Sequence, residues 1–306
     1  MNDKNVPLDD ISFYANVFSF MGLPLSRDLD DESVDAVVMG VPYDLGTSGR
    51  SGTRMGPHAI RQASANLRWE EQRWPWDFAL SERMRAVDYG DVAFTFGDSA
   101  DMLEKVERQA AGITGAGKTL VALGGDHFVA LPLLRGTAKT HGKLALVHFD
   151  AHTDSYEDAG EYNHGCMFYR APREGLIDAS RSVQIGIRTD YDRHNHEFEV
   201  IDAHTVNEES VADTVAAIRA RVGDGPAYLT FDIDCLDPAY APGTGTPVIG
   251  GLSTSRALRI LQGIADLDIV GFDVVEVSPA YDHAQITALA GATLALQFLH
   301  MRANRM

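Results

Sequence analysis

Three stretches of this sequence set carboxylates and imidazoles where an apolar run stops. The run Leu144–Phe149 leads into Asp150, His152 and Asp154, and Tyr228–Phe231 leads into Asp232 and Asp234. The third, Leu120–Leu123, leads into Gly124, Gly125, Asp126 and His127. Six candidate metal ligands (His127, Asp150, His152, Asp154, Asp232 and Asp234) thus fall at the ends of three predicted strands. In Asp150-x-His152-x-Asp154 the ligands alternate by two, so an extended backbone points them to one side, and Asp232-x-Asp234 repeats the spacing. The four carboxylates match the charge of two divalent cations, which neutralises a site otherwise costly to bury. A ligand set rich in oxygen, with two imidazoles and no thiolate, favours Mn²⁺ over Zn²⁺, with Zn²⁺, Fe²⁺ and Co²⁺ as alternatives. Cys235, one position past Asp234, is expected to point away from the cluster. A single motif of this kind is most often a turn or a cap. Three together at strand ends point to a binuclear metal site and to hydrolysis.

The elements that must position these residues are short apolar strands alternating with helices. Predicted strands are Asp35–Gly40, Ala86–Tyr89, Leu120–Leu123, Leu144–Phe149, Val183–Gly186, Glu199–Ile201, Tyr228–Phe231 and Ile269–Val275. Helical patterns occupy Ala100–Ala111, Ser210–Val222, Ser255–Ile264 and Thr287–Met301. Fully apolar strands separated by helices predict an α/β fold with a parallel sheet covered on both faces. Ligands bind at the carboxyl ends of strands in such sheets, where all three motifs lie. No linker-like break or internal repeat divides the chain, so one domain spanning residues 1–306 is expected, with 1–33 an extension packed on it.

The bulk properties exclude several classes of partner. With 26 Lys+Arg against 44 Asp+Glu, the net charge of −18 argues against a nucleic-acid or anionic-membrane surface and suits a cationic small substrate. Two cysteines, Cys166 and Cys235, make no disulfide framework, and the amino terminus lacks the pattern of an export signal. The uncharged stretch Ile286–Met301 is shorter than the roughly 18–20 residues of a membrane span and contains Thr287, Thr293, Gln297 and His300. A buried terminal helix and a cytoplasmic location follow. Trp69, Trp74 and Trp76 crowd one segment, expected first to pack in the core and second to line a subunit interface.

Gly112–Thr119 matches the phosphate-binding P-loop pattern residue for residue. That loop needs a strand before it and a helix after it, so that helix amides face the phosphates. Here a helical segment precedes and a strand follows. Gly112, Gly115 and Gly117 then read as a helix cap and turn, and a P-loop nucleotide binder is set aside.

Gly124–His127, Asp150–Asp154 and Asp232–Pro238 together resemble the three signatures of the ureohydrolase family, which includes arginases and agmatinases. The resemblance runs from about Val38 to the carboxyl terminus and takes in Asn163-His164-Gly165, Gly243–Pro247 and Val275–Pro279; it is closest to the bacterial agmatinase branch. It implies an arginase-like three-layer α/β/α sandwich with a parallel sheet of about eight strands, two Mn²⁺ per subunit, and a homo-oligomer, commonly a trimer or hexamer. It also implies that His127, Asp150, Asp154 and Asp232 hold one Mn²⁺. His152, Asp150, Asp232 and Asp234 would hold the other, with Asp150 and Asp232 bridging.

A guanidinium carbon is a poor electrophile, so such an enzyme needs a strong nucleophile, and a water bridging two Mn²⁺ ions supplies hydroxide near neutral pH. Glu276, at the end of a strand, is the candidate to hold the guanidinium through paired hydrogen bonds. His164 is the candidate proton shuttle to the departing amine. His148, inside a strand, is assigned to packing or to support of the ligands. Asn163 and Thr246 are candidate substrate contacts. The loop Ser155–Asn163 carries Glu157, Asp158 and Glu161 and no Lys or Arg, an acidic rim that favours a substrate with an ammonium tail. Arg170 and Arg173 nearby are the counter-indication, since either can pair with a carboxylate. The resemblance adds weight to agmatine as substrate, with putrescine and urea as products. A guanidinobutyrase or another amidinohydrolase is the alternative, and a non-catalytic metal-binding protein the remote one.

Overall fold

Each of the eight apolar runs forms a strand, and all eight join one sheet. The strands are β1 (Ala36–Gly40), β2 (Ala86–Asp91), β3 (Thr119–Leu123), β4 (Ala145–Phe149), β5 (Val183–Ile185), β6 (Glu199–Ile201), β7 (Ala227–Asp232) and β8 (Ile269–Val275). Their order is β2-β1-β3-β8-β7-β4-β5-β6, and every neighbouring pair is parallel. A computed structural model describes residues 19–69, 72–157 and 160–306. The first 18 residues of the predicted extension, and Asp158 of the acidic loop, lie outside these described residues.

The helices are α1 (Gly56–Ser64), α2 (Leu80–Arg83), α3 (Ser99–Gly115), α4 (Ala130–His141), α5 (Met167–Arg173), α6 (Ala203–Glu208), α7 (Val211–Val222), α8 (Thr254–Gly263) and α9 (Ile286–Ala303). Side chains alternate across the strands and feed two cores. Val38, Val147, Phe149, Leu229 and Phe231 pack with Ile60 of α1, Ile218 of α7, Ile260 of α8 and Phe298 of α9. Met39, Leu146 and Tyr228 pack on the opposite face with Val106 of α3, Leu134 of α4 and Phe168 of α5. Strands buried on both faces account for the near-continuous apolar runs seen in the sequence. Side-chain caps set several helix starts: Asp98, Ser210 and Ser253 accept from the amides of Asp101, Asp213 and Arg256.

The P-loop lookalike sits in the predicted order, helix before and strand after. Gly112 and Gly115 lie inside α3, which runs further than its sequence pattern, and only Gly117 (φ 75°) makes the left-handed turn. The Lys118 ammonium donates to the Asp31 carbonyl (2.8 Å). The described part of the extension joins the sheet edge: the Phe20 amide donates to Asp88 Oδ2 (2.6 Å), and Leu25 bridges to Asp88 of β2. The tryptophans correct the core-packing expectation. Trp69 and Trp74 are exposed, and only Trp76 packs inward, donating to Gln297 Oε1 and stacking on His300. Among the described residues no helix is long and apolar enough to cross a membrane.

Candidate metal centre and active site

The four central strands, β3, β8, β7 and β4, deliver the candidate ligands and Glu276 from their carboxyl ends. His127 follows β3, Glu276 follows β8, Asp232 closes β7 and Asp150 follows β4. The alternation by two does not come from extended chain, as the spacing suggested. Asp150 Oδ1 accepts from the His152 amide (2.6 Å), and Asp232 Oδ1 accepts from the Asp234 amide (2.8 Å), so both motifs are tight Asx turns. Asp154 (φ 49°) and Glu276 (φ 63°) are non-glycine residues in the left-handed region, a strain of about 1–3 kcal/mol each that the surrounding packing must hold. Gly125 allows the turn into His127 to pass against Tyr43: a Cβ there would lie 1.7 Å from the Tyr43 carbonyl oxygen.

The six predicted ligands do converge. His127 Nδ1 lies 2.9 Å from Asp154 Oδ2, 3.1 Å from Asp150 Oδ2 and 3.4 Å from Asp232 Oδ2. His152 Nδ1 lies 3.2 Å from Asp234 Oδ2 and 3.4 Å from Asp150 Oδ1. Asp150 is thus common to two groups, His127 and His148 with Asp150 and Asp154, and His152 with Asp150 and Asp234. His127 Nδ1, though fully buried among three carboxylates, makes no hydrogen bond of acceptable geometry with any of them. Donor atoms converging without aligned hydrogens suit a cation, and the oxygen-rich set with two imidazoles fits divalent metal ions.

The electrostatics agree. Burial, then the neighbouring Asp234 and Asp150, push the Asp232 carboxyl well above the usual range, and burial with Asp150 raises Asp234. Burial opposes charge on His127, yet Asp150, Asp154 and Asp232 drive it well up; His152 is pushed up to about 12 by Asp150 and Asp234 against its own burial. Burial would raise Asp150 as well, but His148, His127 and His152 hold it well below the usual range. Divalent cations would meet the same carboxylates and imidazoles without those protons.

Beneath the ligands runs a polar rung that the sequence reading caught only at His148. Gln184 of β5, His148 of β4, Thr230 of β7 and Asp273 of β8 are register partners on adjacent strands, all fully buried. The Gln184 amide nitrogen donates to the Thr153 carbonyl (2.7 Å), which can only accept, so the same nitrogen donates to His148 Nδ1 (2.9 Å). His148 Nε2–H then donates to Asp150 Oδ2 (2.7 Å). Thr230 gives its hydroxyl hydrogen to Asp273 and therefore accepts from His127 Nε2 (2.8 Å), turning Nδ1 toward the carboxylates. Thr230, Asp273 and Gln184 were legible only as polar residues inside otherwise apolar runs.

Above the ligands lies a cleft of about 380 Å³ lined by Ser48, His152, Asp154, Tyr156, Asn163, His164, Gly165, Asp232 and Thr246. His164 Nδ1 contacts Glu276 Oε1 (2.7 Å), which also accepts from the His127 amide (2.9 Å). Glu276 Oε2 is buried and has no partner. Burial works against a charged His164, but Glu276 pushes it up to about 9. Thr246 Oγ1 donates to Asp234 Oδ2 (3.3 Å), and Asn163 Oδ1 accepts from the Gly165 amide (2.8 Å). The acidic rim needs correction, because Glu157 turns away to accept from the Tyr169 hydroxyl in a neighbouring cleft, and neither it nor Glu161 lines the site. Arg170 is bound to Glu161 O and Glu174, and Arg173 to Glu197, so neither enters the cleft. Ser48 was missed altogether; it belongs to none of the three signatures.

Parallel sheet, helices on both faces and paired imidazole–carboxylate groups at the central strand ends define the arginase architecture, and the arginase family model matches residues 34–301. The chain belongs to the arginase family. It is 58% identical over 293 residues to an agmatinase of Neisseria meningitidis, covering 96% of this chain and 95% of that one. The crystal structure of a hypothetical agmatinase from Burkholderia thailandensis superposes with a TM-score of 0.92 at 46% identity, covering 96% of this chain and 93% of that one. Proclavaminate amidino hydrolase from Streptomyces clavuligerus superposes with a TM-score of 0.90 at 38% identity, covering 97% and 100%.

Proposed function

We propose that this protein is an agmatinase, a two-Mn²⁺ hydrolase that cleaves the guanidino group of agmatine to putrescine and urea. The observation that carries this reading is the pair of imidazole–carboxylate groups sharing Asp150 beneath a cleft that holds His164, in a chain 58% identical along nearly its whole length to agmatinases. His127, Asp150, Asp154 and Asp232 would hold one ion, and His152, Asp150, Asp232 and Asp234 the other. When bound, the pair supplies Lewis acidity and lowers the pKa of water for attack. Glu276 holds the guanidinium, and its unpartnered Oε2 is the oxygen open to it. A paired grip needs His164 to leave Oε1, which suits a residue that carries a proton to the departing amine.

A substrate without a carboxylate tail is supported by the cleft itself: its lining contains no Lys or Arg to pair with one. Asn163 and Thr246 lie on that lining and are the proposed substrate contacts. We further propose that the chain works as one unit, in the cytoplasm, as a homo-oligomeric trimer or hexamer. Another amidinohydrolase activity, such as guanidinobutyrase, is the second reading, favoured by the close superposition on the Streptomyces amidino hydrolase. Urea release from agmatine, arginine and guanidinobutyrate, measured side by side with Mn²⁺, tests the assignment. Agmatine is expected to be turned over fastest, and faster turnover of guanidinobutyrate overturns it.

A further inference from the structure

His164 is gripped from the side opposite Glu276 by the segment running from Gly46 to Ser48. Its own amide donates to the Gly46 carbonyl (3.0 Å). Its ring Nε2 lies 3.0 Å from the Ser48 amide nitrogen and 2.7 Å from Ser48 Oγ. A peptide N–H can only donate, so Nε2 must present its lone pair. The ring hydrogen is then on Nδ1, donated to Glu276 Oε1, and the Ser48 hydroxyl donates to Nε2 alongside the amide.

The carboxylates facing the ring are Glu276, Asp154 and Asp126, and against burial they favour a doubly protonated imidazole up to about pH 9. A hydrogen on Nε2 would meet the Ser48 amide hydrogen head on. The donor geometry outweighs the charge in this arrangement, because the amide cannot reverse its role. The segment is anchored as well: Asp126 Oδ2 accepts from the Gly46 amide (2.7 Å), and the Asp44 carboxylate accepts from the Gly52 amide (2.9 Å) and Arg54 Nε (2.6 Å). Gly245 packs between Arg50, just past this segment, and Glu276. A Cβ on Gly245 would lie 2.9 Å from the Arg50 carbonyl oxygen and 3.7 Å from Glu276 Oε2, and Glu276 is fully buried.

We propose that Ser48 is a positioning residue: its amide and hydroxyl hold His164 as the neutral Nδ1–H tautomer against Glu276, and its withdrawal frees Nε2. The inference rests on the agmatinase reading. Once free, Nε2 takes the proton released as water adds to the guanidinium carbon, and that proton leaves with the amine when the C–N bond breaks. Release of His164 and opening of the Glu276 grip are then one movement, so substrate entry arms the shuttle.

The test is ¹⁵N NMR of ring-labelled histidine in the full chain, with diamagnetic Zn²⁺ in place of Mn²⁺ and His164→Asn to identify the signals. The wild-type ring is expected to show an unprotonated Nε2 and a protonated Nδ1 at neutral pH. Ser48→Ala, which keeps the amide donor and loses only the hydroxyl, is expected to keep that tautomer while Nε2 takes a second proton at higher pH than in the wild type. In the Mn²⁺ enzyme Ser48→Ala is expected to lower kcat about 2- to 10-fold, as for loss of one hydrogen bond. KM should stay within about twofold, and Ser48→Thr should restore kcat. A protonated Nε2 in the wild type, or Ser48→Ala with an unchanged ring titration and unchanged kcat, overturns the proposal. Failure of the wild type to release urea from agmatine would remove the activity while the tautomer result still stood.

Discussion

His164 and Glu276 are joined by one hydrogen bond, and each has a distinct task in the proposed reaction. His164→Ala and Glu276→Gln should each lower kcat/KM by about 10²–10⁴-fold, the range of a lost acid–base group. Manganese content, measured on the same samples by elemental analysis, should stay at the wild-type level because neither residue is proposed as a ligand. Full activity in either variant would remove its role. Thr230 supports a different expectation. It accepts from His127 Nε2 while donating to Asp273, so Thr230→Val deprives a buried imidazole N–H of its partner. Metal affinity should fall roughly 10- to 100-fold, with activity recovered by excess Mn²⁺. Direct titration of the metal-free protein, read by calorimetry, separates this outcome from a simple loss of fold. The ligands themselves were legible as residue types at a spacing. Their supports were not, since Thr230 and Asp273 join them only through strand register.

At the scale of elements, two anchors hold the loops and helices around the sheet. Arg61 of α1 places Nε and Nη2 on the Asp88 carboxylate of β2 (2.8 and 2.9 Å), and both residues are buried. Arg61→Met leaves that carboxylate without its counter-charge, and the cost should be roughly 3–5 kcal/mol, seen as a lower urea midpoint. Asp44 anchors the segment that carries Ser48. Burial works to raise its carboxyl, but Arg54 and the Gly52 amide more than offset this and hold it below 3.8. A depressed folded-state value means that its stabilisation is complete above the unfolded value and is lost as pH falls through the folded one. Asp44→Asn should therefore lower the thermal midpoint at neutral pH, with the gap to wild type closing in scans run below about pH 4. The strands were legible because burial on both faces makes each an unbroken apolar run. The Asx turns at their ends were not, because an i, i+2 carboxylate spacing looks the same in an extended chain and in a turn.

For the whole molecule, metal and fold are coupled. Four carboxylates, Asp150, Asp154, Asp232 and Asp234, are buried at the centre of the sheet's carboxyl edge, and burial with the neighbouring carboxylates raises Asp232 and Asp234 above the usual range. Mn²⁺ at about 100 times its Kd should add about 2.7 kcal/mol per site, and chelation should lower the thermal midpoint by roughly 4 °C for each ion removed from a chain of this size. An unchanged midpoint on adding chelator to the loaded protein would mean that the cluster does not bind metal tightly. The sequence by itself determined the parallel sheet, the six converging candidate ligands and the failure of the P-loop lookalike, because strand burial, strand-end placement and element order are local properties. Only the tertiary structure decided where the acidic loop faces, which tryptophans are exposed and that Ser48 meets His164, residues 116 positions apart. Those outcomes depend on which loops the strand order β3-β8-β7-β4 brings side by side, and no spacing along the chain encodes that neighbourhood.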